Sequence, residues 1–398
     1  MKFRIERVEG GICAVGGVRA YGVKEGKNGL AIVAGDLEEN ASAAGVFTAN
    51  KVKAAPVKLT QARIEKCGRL AAIVANSGCA NAFTGKEGLK NAELMAELVA
   101  RRLGIPEEEV GVASTGVIGK QLDMRLIERQ IKEVSEKLTS NAEGSVAAAR
   151  AIMTTDTFPK ETAIRIYDGE SELRIGGIAK GAGMIFPHLA TMLAFVWTDA
   201  RLHKRELKNC LKSAVDRSFN MIVVDGDMST NDMVLLVATG VKEASVEAFQ
   251  QGLNYVCETL AKMIARDGEG ATKFVEVHVR GAASYEDART AARAVVRSPL
   301  VKSSIHGESP NFGRIVAAVG AAGVELDESR ISIALEDISG VFGSVKLVSN
   351  GSPTVDVDHA RRVMQTRELR IVVDLSVGAY EATAWGCDLS PEYVRLNL

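Results

Sequence analysis

Short apolar segments alternate with longer amphipathic segments along most of this 398-residue chain. The apolar runs are bounded by Gly, Asp or Asn, as in "RLAAIVANSG", "MLAFVWTDA" and "DMVLLVATG", and this pattern is typical of buried β-strands. Other segments carry apolar residues three and four positions apart, which predicts helices with one buried face. The predicted helices span residues 87–103, 123–138, 203–219, 246–266, 285–297 and 311–321.

Strands with helices between and after them predict an α/β fold in which layers of helices cover β-sheets. The eight prolines are spread thinly, and no stretch rich in Pro, Gly or Ser marks a flexible linker. The sequence shows no repeat period. Its length is typical of two or three domains that together bury a sizeable core.

Positive and negative charges are almost balanced, with 49 Lys and Arg against 50 Asp and Glu and a net charge of −1. This balance gives no reason to expect a nucleic-acid or membrane partner. The N-terminus lacks a signal-peptide pattern, and no uncharged run reaches the roughly 18 residues of a membrane span. We therefore expect a cytoplasmic protein, in which the six scattered cysteines are reduced thiols.

No stretch has the ligand pattern of a metal site. The cysteines include no C-x-x-C pair, and the histidines include no H-E-x-x-H motif. The loop "DGDMSTND", residues 225–232, is similar to a calcium loop, but Thr230 and Leu236 stand where such a loop needs Gly and Glu. We expect no bound metal, and interpret this loop as a polar turn whose side chains are available to line a pocket.

The stretch "STGVIG", residues 114–119, follows an apolar strand and contains two glycines. A tight turn there would direct the backbone N–H groups of Thr115 and Gly116 outward, where such donors hold a developing oxyanion. A plain strand-to-helix turn explains the same residues. The same two interpretations, binding loop or ordinary turn and cap, apply to "NSGCANAFTG", "MTTDTFPK" and "ARDGEGATKF".

A single hydroxyl, that of Thr191, begins an apolar run after the lysine-bearing glycine turn "KGAGMIFPHLA". A threonine becomes a nucleophile only when a base accepts its proton. His188 is one candidate base, although no evident carboxylate would orient it. Cleavage between Ala190 and Thr191 would instead free an α-amine, of pKa about 8, beside the hydroxyl. The alternative is that the threonine merely opens a core strand.

Six stretches occur in the order and approximate spacing of the motifs of one family: "STGVIG", "MTTDTFPK", "KGAGMIFPHLATMLAF", "DGDMSTND", "DGEGATKF" and "ATAWGCDL". On these motifs the chain resembles the glutamate N-acetyltransferase family, the ornithine acetyltransferases of arginine biosynthesis. The resemblance extends over nearly the whole chain, from "EGGICAVGG" to "WGCDLSPEYVRLN". It implies an α/β fold, a layered sandwich of β-sheets flanked by helices, shared with self-processing aminopeptidases.

By position, the resemblance makes Thr191 the nucleophile, freed by autolysis between Ala190 and Thr191. Thr115 and Gly116 match the oxyanion-hole pair of the family. The lysine among the implied binding residues suits substrate carboxylates, and the glutamate suits substrate ammonium groups. The implied substrate-binding residues are Thr154, Lys180, Thr191, Glu269 and Asn397.

The implied reaction is a reversible ping-pong transfer of acetyl from N-acetylornithine to glutamate through an acetyl-threonine intermediate. It needs no metal or bound cofactor, and some members of the family also accept acetyl-CoA as a co-substrate. The resemblance further implies an α chain, residues 1–190, and a β chain, residues 191–398, interlocked in one fold within an α2β2 assembly. One departure is that the family usually continues a few residues past the position of Asn397, to a hydroxyl residue that contacts substrate.

Two other functions fit the same sequence. A self-processing aminopeptidase or hydrolase on the same scaffold would pass the acyl group to water instead of to an amine. A non-catalytic protein that binds small molecules would remain a single chain. Denaturing mass analysis would separate this last function from the first two, because only a processed enzyme yields two fragments.

Overall fold

The computed structural model describes residues 3–169, 171–186, 192–354 and 356–398. The chain forms two compact units. The first contains Met1–Asn220 and Asp227–Ile264, and the second contains Met221–Gly226 and Ala265–Leu398. Because the chain enters the second unit twice, no single position in the sequence separates the two.

The secondary structure alternates between strands and helices throughout the described residues. The strands are β1 Arg4–Val8, β2 Val18–Glu25, β3 Asn28–Gly35, β4 Ser42–Phe47, β5 Ala72–Cys79, β6 Val110–Val117, β7 Lys160–Asp168, β8 Ser171–Lys180, β9 Leu193–Arg201, β10 Ile222–Val223, β11 Met233–Glu243, β12 Phe274–Ala282, β13 Ser332–Asp337, β14 Ser344–Ser349, β15 Ser352–Pro353, β16 Glu368–Asp374 and β17 Tyr380–Cys387. The helices are α1 Ala55–Cys67, α2 Gly85–Leu103, α3 Met124–Lys137, α4 Ala142–Ala151, α5 Lys204–Arg217, α6 Val246–Arg266, α7 Tyr285–Arg297, α8 Pro299–His306, α9 Phe312–Gly320, α10 Val357–Met364 and α11 Pro391–Leu396. Within the described residues, none of these helices has the length and apolar character needed to cross a membrane.

Six strands form the larger sheet of the first unit, in the order β1-β7-β8-β9-β11-β4. β9 and β11 pair in parallel, whereas the other neighbours in this sheet are antiparallel. The two parallel strands are buried along most of their length, and Phe195 and Trp197 of β9 are among the buried residues. Burial on both faces explains why their sequences are apolar almost without interruption.

The first unit also contains a four-stranded sheet with the order β2-β3-β5-β6. One face of this sheet packs against α2 and α3 through residues such as Met95 and Ile127. Its other face shares a core with the six-stranded sheet, to which Phe195 contributes. α6 covers the far side of the six-stranded sheet, where Leu260 lies against Gly177. The first unit is therefore built in four layers: helices, sheet, sheet and helix.

The second unit is built on a seven-stranded sheet with the order β10-β17-β12-β16-β13-β14-β15. Buried Ala288 and Ala292 of α7 face β12 and β17. A polar contact also ties three of the strands together. Glu276 of β12 accepts hydrogen bonds from Arg370 Nε of β16 at 2.6 Å and from Trp385 Nε1 of β17 at 2.8 Å.

The predicted α/β class and its layers of helices on sheets are confirmed. Two predicted helices agree with α6 and α7 at both ends, and the other four agree with α2, α3, α5 and α9 to within two residues. The sequence analysis did not predict α1, α4, α8, α10 or α11. The buried face of α4 consists of small residues such as Gly144, Ser145 and Ala148. A Cβ at Gly144 would lie 2.4 Å from the carbonyl oxygen of Ala20. This helix packs by close backbone approach, so it has no stripe of large apolar residues.

Candidate active site

The predicted oxyanion pair, Thr115 and Gly116, lies at the carboxyl end of β6, beside the end of β5. The register of these two parallel strands shifts at Gly78 and Cys79. Gly116 has a φ of 132°, and a Cβ there would lie 2.3 Å from the carbonyl carbon of Gly78. Only glycine fits this close approach. Such an irregularity redirects backbone groups at a strand end, which suits a pair of outward N–H donors.

Lys180, the last residue of β8, is buried next to Thr115. The lysine is 1% exposed, and its Nζ lies 3.4 Å from Thr115 Oγ1. These two residues are 65 positions apart in sequence, so the fold joins a predicted substrate-binding residue to a predicted oxyanion-hole residue. A buried ammonium attracts anions more strongly than an exposed one because little water screens its charge.

Asp156 connects Thr154 to the turn that follows Lys180 in the first unit. Its Oδ2 accepts a hydrogen bond from Thr154 N at 3.0 Å, and its Oδ1 accepts from Gly181 N at 2.7 Å. Oδ1 also accepts from Lys160 Nζ at 2.7 Å, in an ion pair whose two side chains are 0% exposed. One carboxylate therefore holds both the turn of Thr154 and the turn that follows Lys180.

The charge of this carboxylate follows from its neighbours. Burial by itself would raise the pKa of Asp156, but the ammonium groups of Lys180 and Lys160 outweigh burial and hold the pKa at about 2. Asp156 is therefore ionised at neutral pH, and the charges of these three residues sum to one positive charge. The sequence analysis missed the aspartate and its partner. The signal available was an Asp and a Lys four residues apart in "MTTDTFPK".

The "DGDMSTND" loop uses a side chain to clamp the ends of β5 and β6. Asn231 Nδ2 donates to the carbonyl oxygens of Ala80, at 2.6 Å, and Ser114, at 2.8 Å. Ser114 Oγ in turn donates to Asn76 Oδ1 at 2.5 Å. These buried contacts fix the backbone on both sides of the strand ends and thereby the position of Thr115.

Asp232, the last residue of the same loop, holds the start of β9. It is fully buried, and its Oδ1 accepts a hydrogen bond from Met192 N at 2.9 Å. Burial raises the pKa of this carboxyl well above its ordinary value of 3.8. Its hydrogen bond to Met192 N anchors the backbone at the residue that follows the predicted nucleophile.

The predicted cleavage site and nucleophile, Ala190 and Thr191, lie outside the described residues, as does His188. The described chain continues into β9, whose first residue, Leu193, pairs with Lys180 on β8. The strand that follows the predicted nucleophile therefore begins beside the buried lysine.

In the second unit, the predicted substrate-binding residues Glu269 and Asn397 are in contact. Asn397 Nδ2 donates to Glu269 Oε2 at 2.8 Å and to Tyr393 O at 2.9 Å. Gly270 has a φ of 71°, and a Cβ there would lie 2.4 Å from Tyr393 N, so glycine lets the loop approach α11. The fold thus brings together two residues that are 128 positions apart. The other described site residues belong to the first unit: Thr115, Gly116, Thr154 and Lys180.

Comparisons with known proteins match almost the entire chain. A profile described as the ArgJ family matches residues 15–398. A protein of Methanosarcina mazei named glutamate N-acetyltransferase is 51% identical over 400 residues, which cover 99% of both chains. The arginine biosynthesis bifunctional protein ArgJ of Symbiobacterium thermophilum is 47% identical over 409 residues and 99% of both chains. A crystal structure of arginine biosynthesis bifunctional protein argJ from Bacillus halodurans is 38% identical, with a TM-score of 0.47, and covers 50% of this chain and 95% of its own.

Proposed function

This chain belongs to the ArgJ family, and on that premise we propose that it transfers an acetyl group from N-acetylornithine to glutamate. The family match confirms the resemblance found in the sequence motifs and the prediction of an acyltransferase enzyme of arginine biosynthesis. The products of the proposed reaction are ornithine and N-acetylglutamate. The relatives named glutamate N-acetyltransferase support this choice of substrates.

The proposed nucleophile is Thr191, released by autolysis of the bond between Ala190 and Thr191. Cleavage would leave an α-amine of pKa about 8 beside the hydroxyl, and this amine would accept the hydroxyl proton. The neighbourhood supports this assignment, because β9 begins beside Lys180 and is anchored by Asp232. The other candidate base near Thr191 in the sequence is His188, and no evident carboxylate would orient it.

Autolysis would produce an α chain of residues 1–190 and a β chain of residues 191–398. β8, which precedes the cut, pairs with β9, which follows it, in the middle of the six-stranded sheet. Hydrogen bonds between these strands would hold the two chains together after cleavage. We propose that two copies of each chain form an α2β2 assembly in the cytoplasm.

The chemistry is a two-step acyl transfer. Thr191 Oγ forms a bond to the acetyl carbon of N-acetylornithine, the C–N bond breaks, and the departing ornithine nitrogen takes the proton. The amine of glutamate then attacks the acetyl-threonine ester, and the threonine oxygen recovers a proton as it leaves. Thr115 and Gly116 would stabilise the tetrahedral oxyanion in both steps as preorganised donors.

The charged residues provide the substrate contacts. Lys180, with Thr154 held nearby by Asp156, would bind a substrate carboxylate. Glu269, oriented by Asn397, would bind a substrate ammonium. No metal or bound cofactor is needed in this scheme. Acetyl-CoA, a thioester, would acetylate the same hydroxyl if the chain acts as a bifunctional member of the family.

The observation that carries the proposal is the buried Lys180 ammonium beside Thr115 in a chain of the ArgJ family. The test combines denaturing mass analysis with a radiolabelled assay of N-acetylornithine and glutamate. We expect two fragments that divide after Ala190, and label that moves from N-acetylornithine to glutamate. Thr191→Ala should remain one chain.

Three results would contradict the proposal. Two fragments in Thr191→Ala would place the cleavage elsewhere or assign it to another protease. Release of free acetate in excess of N-acetylglutamate would identify a hydrolase. A single intact chain without acetyl transfer would indicate a binding protein.

A further inference from the structure

The register of the four-stranded sheet places a lysine in the same row as the oxyanion residue. The row runs from β2 to β6 through Lys24, Gly29, Ser77 and Thr115. Neighbouring strands are about 4.8 Å apart, so the two ends of this row are about 14 Å apart. Residues in one row point to the same face of a sheet, so the Lys24 side chain extends over the face that carries Thr115.

One chain segment covers the middle of this row. Ser77 Oγ donates to Ala151 O at 2.8 Å. Two residues later, Met153 O accepts a hydrogen bond from Lys24 Nζ at 2.5 Å. The exposed lysine therefore reaches across the sheet to the residue that precedes Thr154, a predicted substrate-binding position.

From Thr154 the contacts continue to the buried lysine of the site. Thr154 N donates to Asp156 Oδ2, and Gly181 N donates to Asp156 Oδ1. Gly181 directly follows Lys180, whose Nζ lies 3.4 Å from Thr115 Oγ1. These contacts thus link the buried ammonium of Lys180 to the exposed ammonium of Lys24.

The residues along these contacts carry more positive than negative charge. Lys24, Lys160 and Lys180 supply three ammonium groups, and Asp156 pairs with Lys160 at 2.7 Å. Burial lowers the pKa of Lys24, the carboxylate of Asp156 opposes this effect, and the ammonium of Lys180 adds to it. Two anionic groups on one ligand would complement the two lysines that flank this pair.

We propose that Lys24 determines specificity by binding the side-chain carboxylate that glutamate and N-acetylglutamate carry and ornithine lacks. This inference rests on the proposed function. The carboxylate common to all substrates is attached to the carbon that bears the reacting nitrogen, so it belongs with Lys180 beside Thr115. The side-chain carboxylate lies two methylene groups farther along the substrate, and the proposal directs it toward Lys24. The Lys24 ammonium attracts this carboxylate, and ornithine carries no corresponding group for the lysine to bind.

Two isotope-exchange reactions on the full processed enzyme test the inference. One exchanges acetyl between N-acetylglutamate and labelled glutamate, and the other between N-acetylornithine and labelled ornithine. In Lys24→Met we expect the KM for glutamate to rise about tenfold or more, the usual effect of losing a charged hydrogen bond. The kcat of that exchange and the whole ornithine exchange should stay close to wild type. Lys24→Arg should restore most of the glutamate affinity.

Lys27→Met is the matched control, because Lys27 is an exposed lysine in the turn between β2 and β3. It should leave both exchanges unchanged. The ratio of the two exchange rates within one preparation does not depend on the folded fraction, so a destabilised Lys24→Met remains informative. An equal loss in both exchanges, or no loss in either, would overturn the role of Lys24. Absence of both exchanges in the wild-type enzyme would overturn the proposed function itself.

Discussion

Replacing Asp156 by Asn would remove the charge of a fully buried ion pair while keeping the shape of the side chain. The carboxylate holds Lys160 Nζ at 2.7 Å, and neither side chain is exposed to solvent. An uncompensated ammonium would remain in an enclosed site. The amide oxygen can still accept a hydrogen bond from Gly181 N, but the NH2 group that replaces Oδ2 cannot accept from Thr154 N, so the variant loses the charge and one hydrogen bond.

The lowered pKa of Asp156 gives the smaller of two estimates of the stability that Asp156→Asn loses. A pKa that falls from 3.8 in the free side chain to about 2 in the fold corresponds to about 2 kcal/mol of stability. Removing one partner of a buried ion pair commonly costs about 3–5 kcal/mol, because the other charge stays buried. We therefore expect Asp156→Asn to lose about 2–5 kcal/mol, which lowers the Tm of a unit of this size by about 4–10 °C.

Thermal melts between pH 2 and 7 measure this effect. Because the pKa of Asp156 is lowered in the fold, its stabilising contribution is complete above pH 4 and disappears as the pH falls through about 2. The difference in Tm between wild type and variant should therefore be largest at neutral pH and shrink under acid conditions. Denaturing mass analysis should first establish that both samples are in the same state of processing.

Two further variants make this measurement decisive. Glu97→Gln removes an ion pair with Arg101 on an exposed helix surface, and it should change the Tm by about 1 °C or less. Adding Lys160→Met to Asp156→Asn should recover stability, because a buried apolar side chain costs less than an unpaired charge. If Asp156→Asn melted within 1 °C of wild type at pH 7, or if the double variant were worse than the single one, the reasoning would be refuted.

Three other variants test the site. Thr115→Ala, assayed in processed enzyme, should lower kcat by about 10²–10³ if its hydroxyl contributes to the oxyanion hole; turnover near wild type would exclude that side chain. Glu269→Gln keeps an acceptor for Asn397 but removes the charge, so kcat/KM for ornithine should fall about ten- to a hundredfold; unchanged kinetics would exclude the ammonium contact. Asp232→Asn keeps an acceptor for Met192 N, and since burial raises the pKa of Asp232, native stability falls as the pH rises above about 4. The variant should therefore gain Tm relative to wild type as the pH rises above about 4, and a constant difference would contradict a raised pKa of Asp232.

Regular elements with large apolar residues were predictable from the sequence. α6 and α7 carry apolar stripes with helical spacing, and their ends were predicted correctly. α4 was missed because its buried side is formed by Gly, Ser and Ala, which pack well only where a neighbouring backbone approaches closely. A pattern of residue types cannot indicate such an approach.

The candidate site likewise contains some residues that the sequence indicated and others that only the structure revealed. The glycine at position 116 and the motif that contains Lys180 were recognisable as local chemistry. The importance of Asp156 was not, since its three partners lie in a turn, in the next strand and after β8. No sequence pattern around Lys24 indicated a role in the site, because only the register of four strands places this lysine in the row of Thr115.

The sequence by itself therefore determined several of the helices and strands, which family the motifs resemble and which side chains can perform acyl transfer. Only the tertiary structure decided which of those side chains meet. Lys180 reaches Thr115 across 65 positions because β8 and β6 belong to two sheets stacked in one unit. Glu269 meets Asn397 across 128 positions because a glycine lets its loop approach α11. Hydrophobic period encodes the buried face of each element, whereas strand order and register arise from packing among all elements at once.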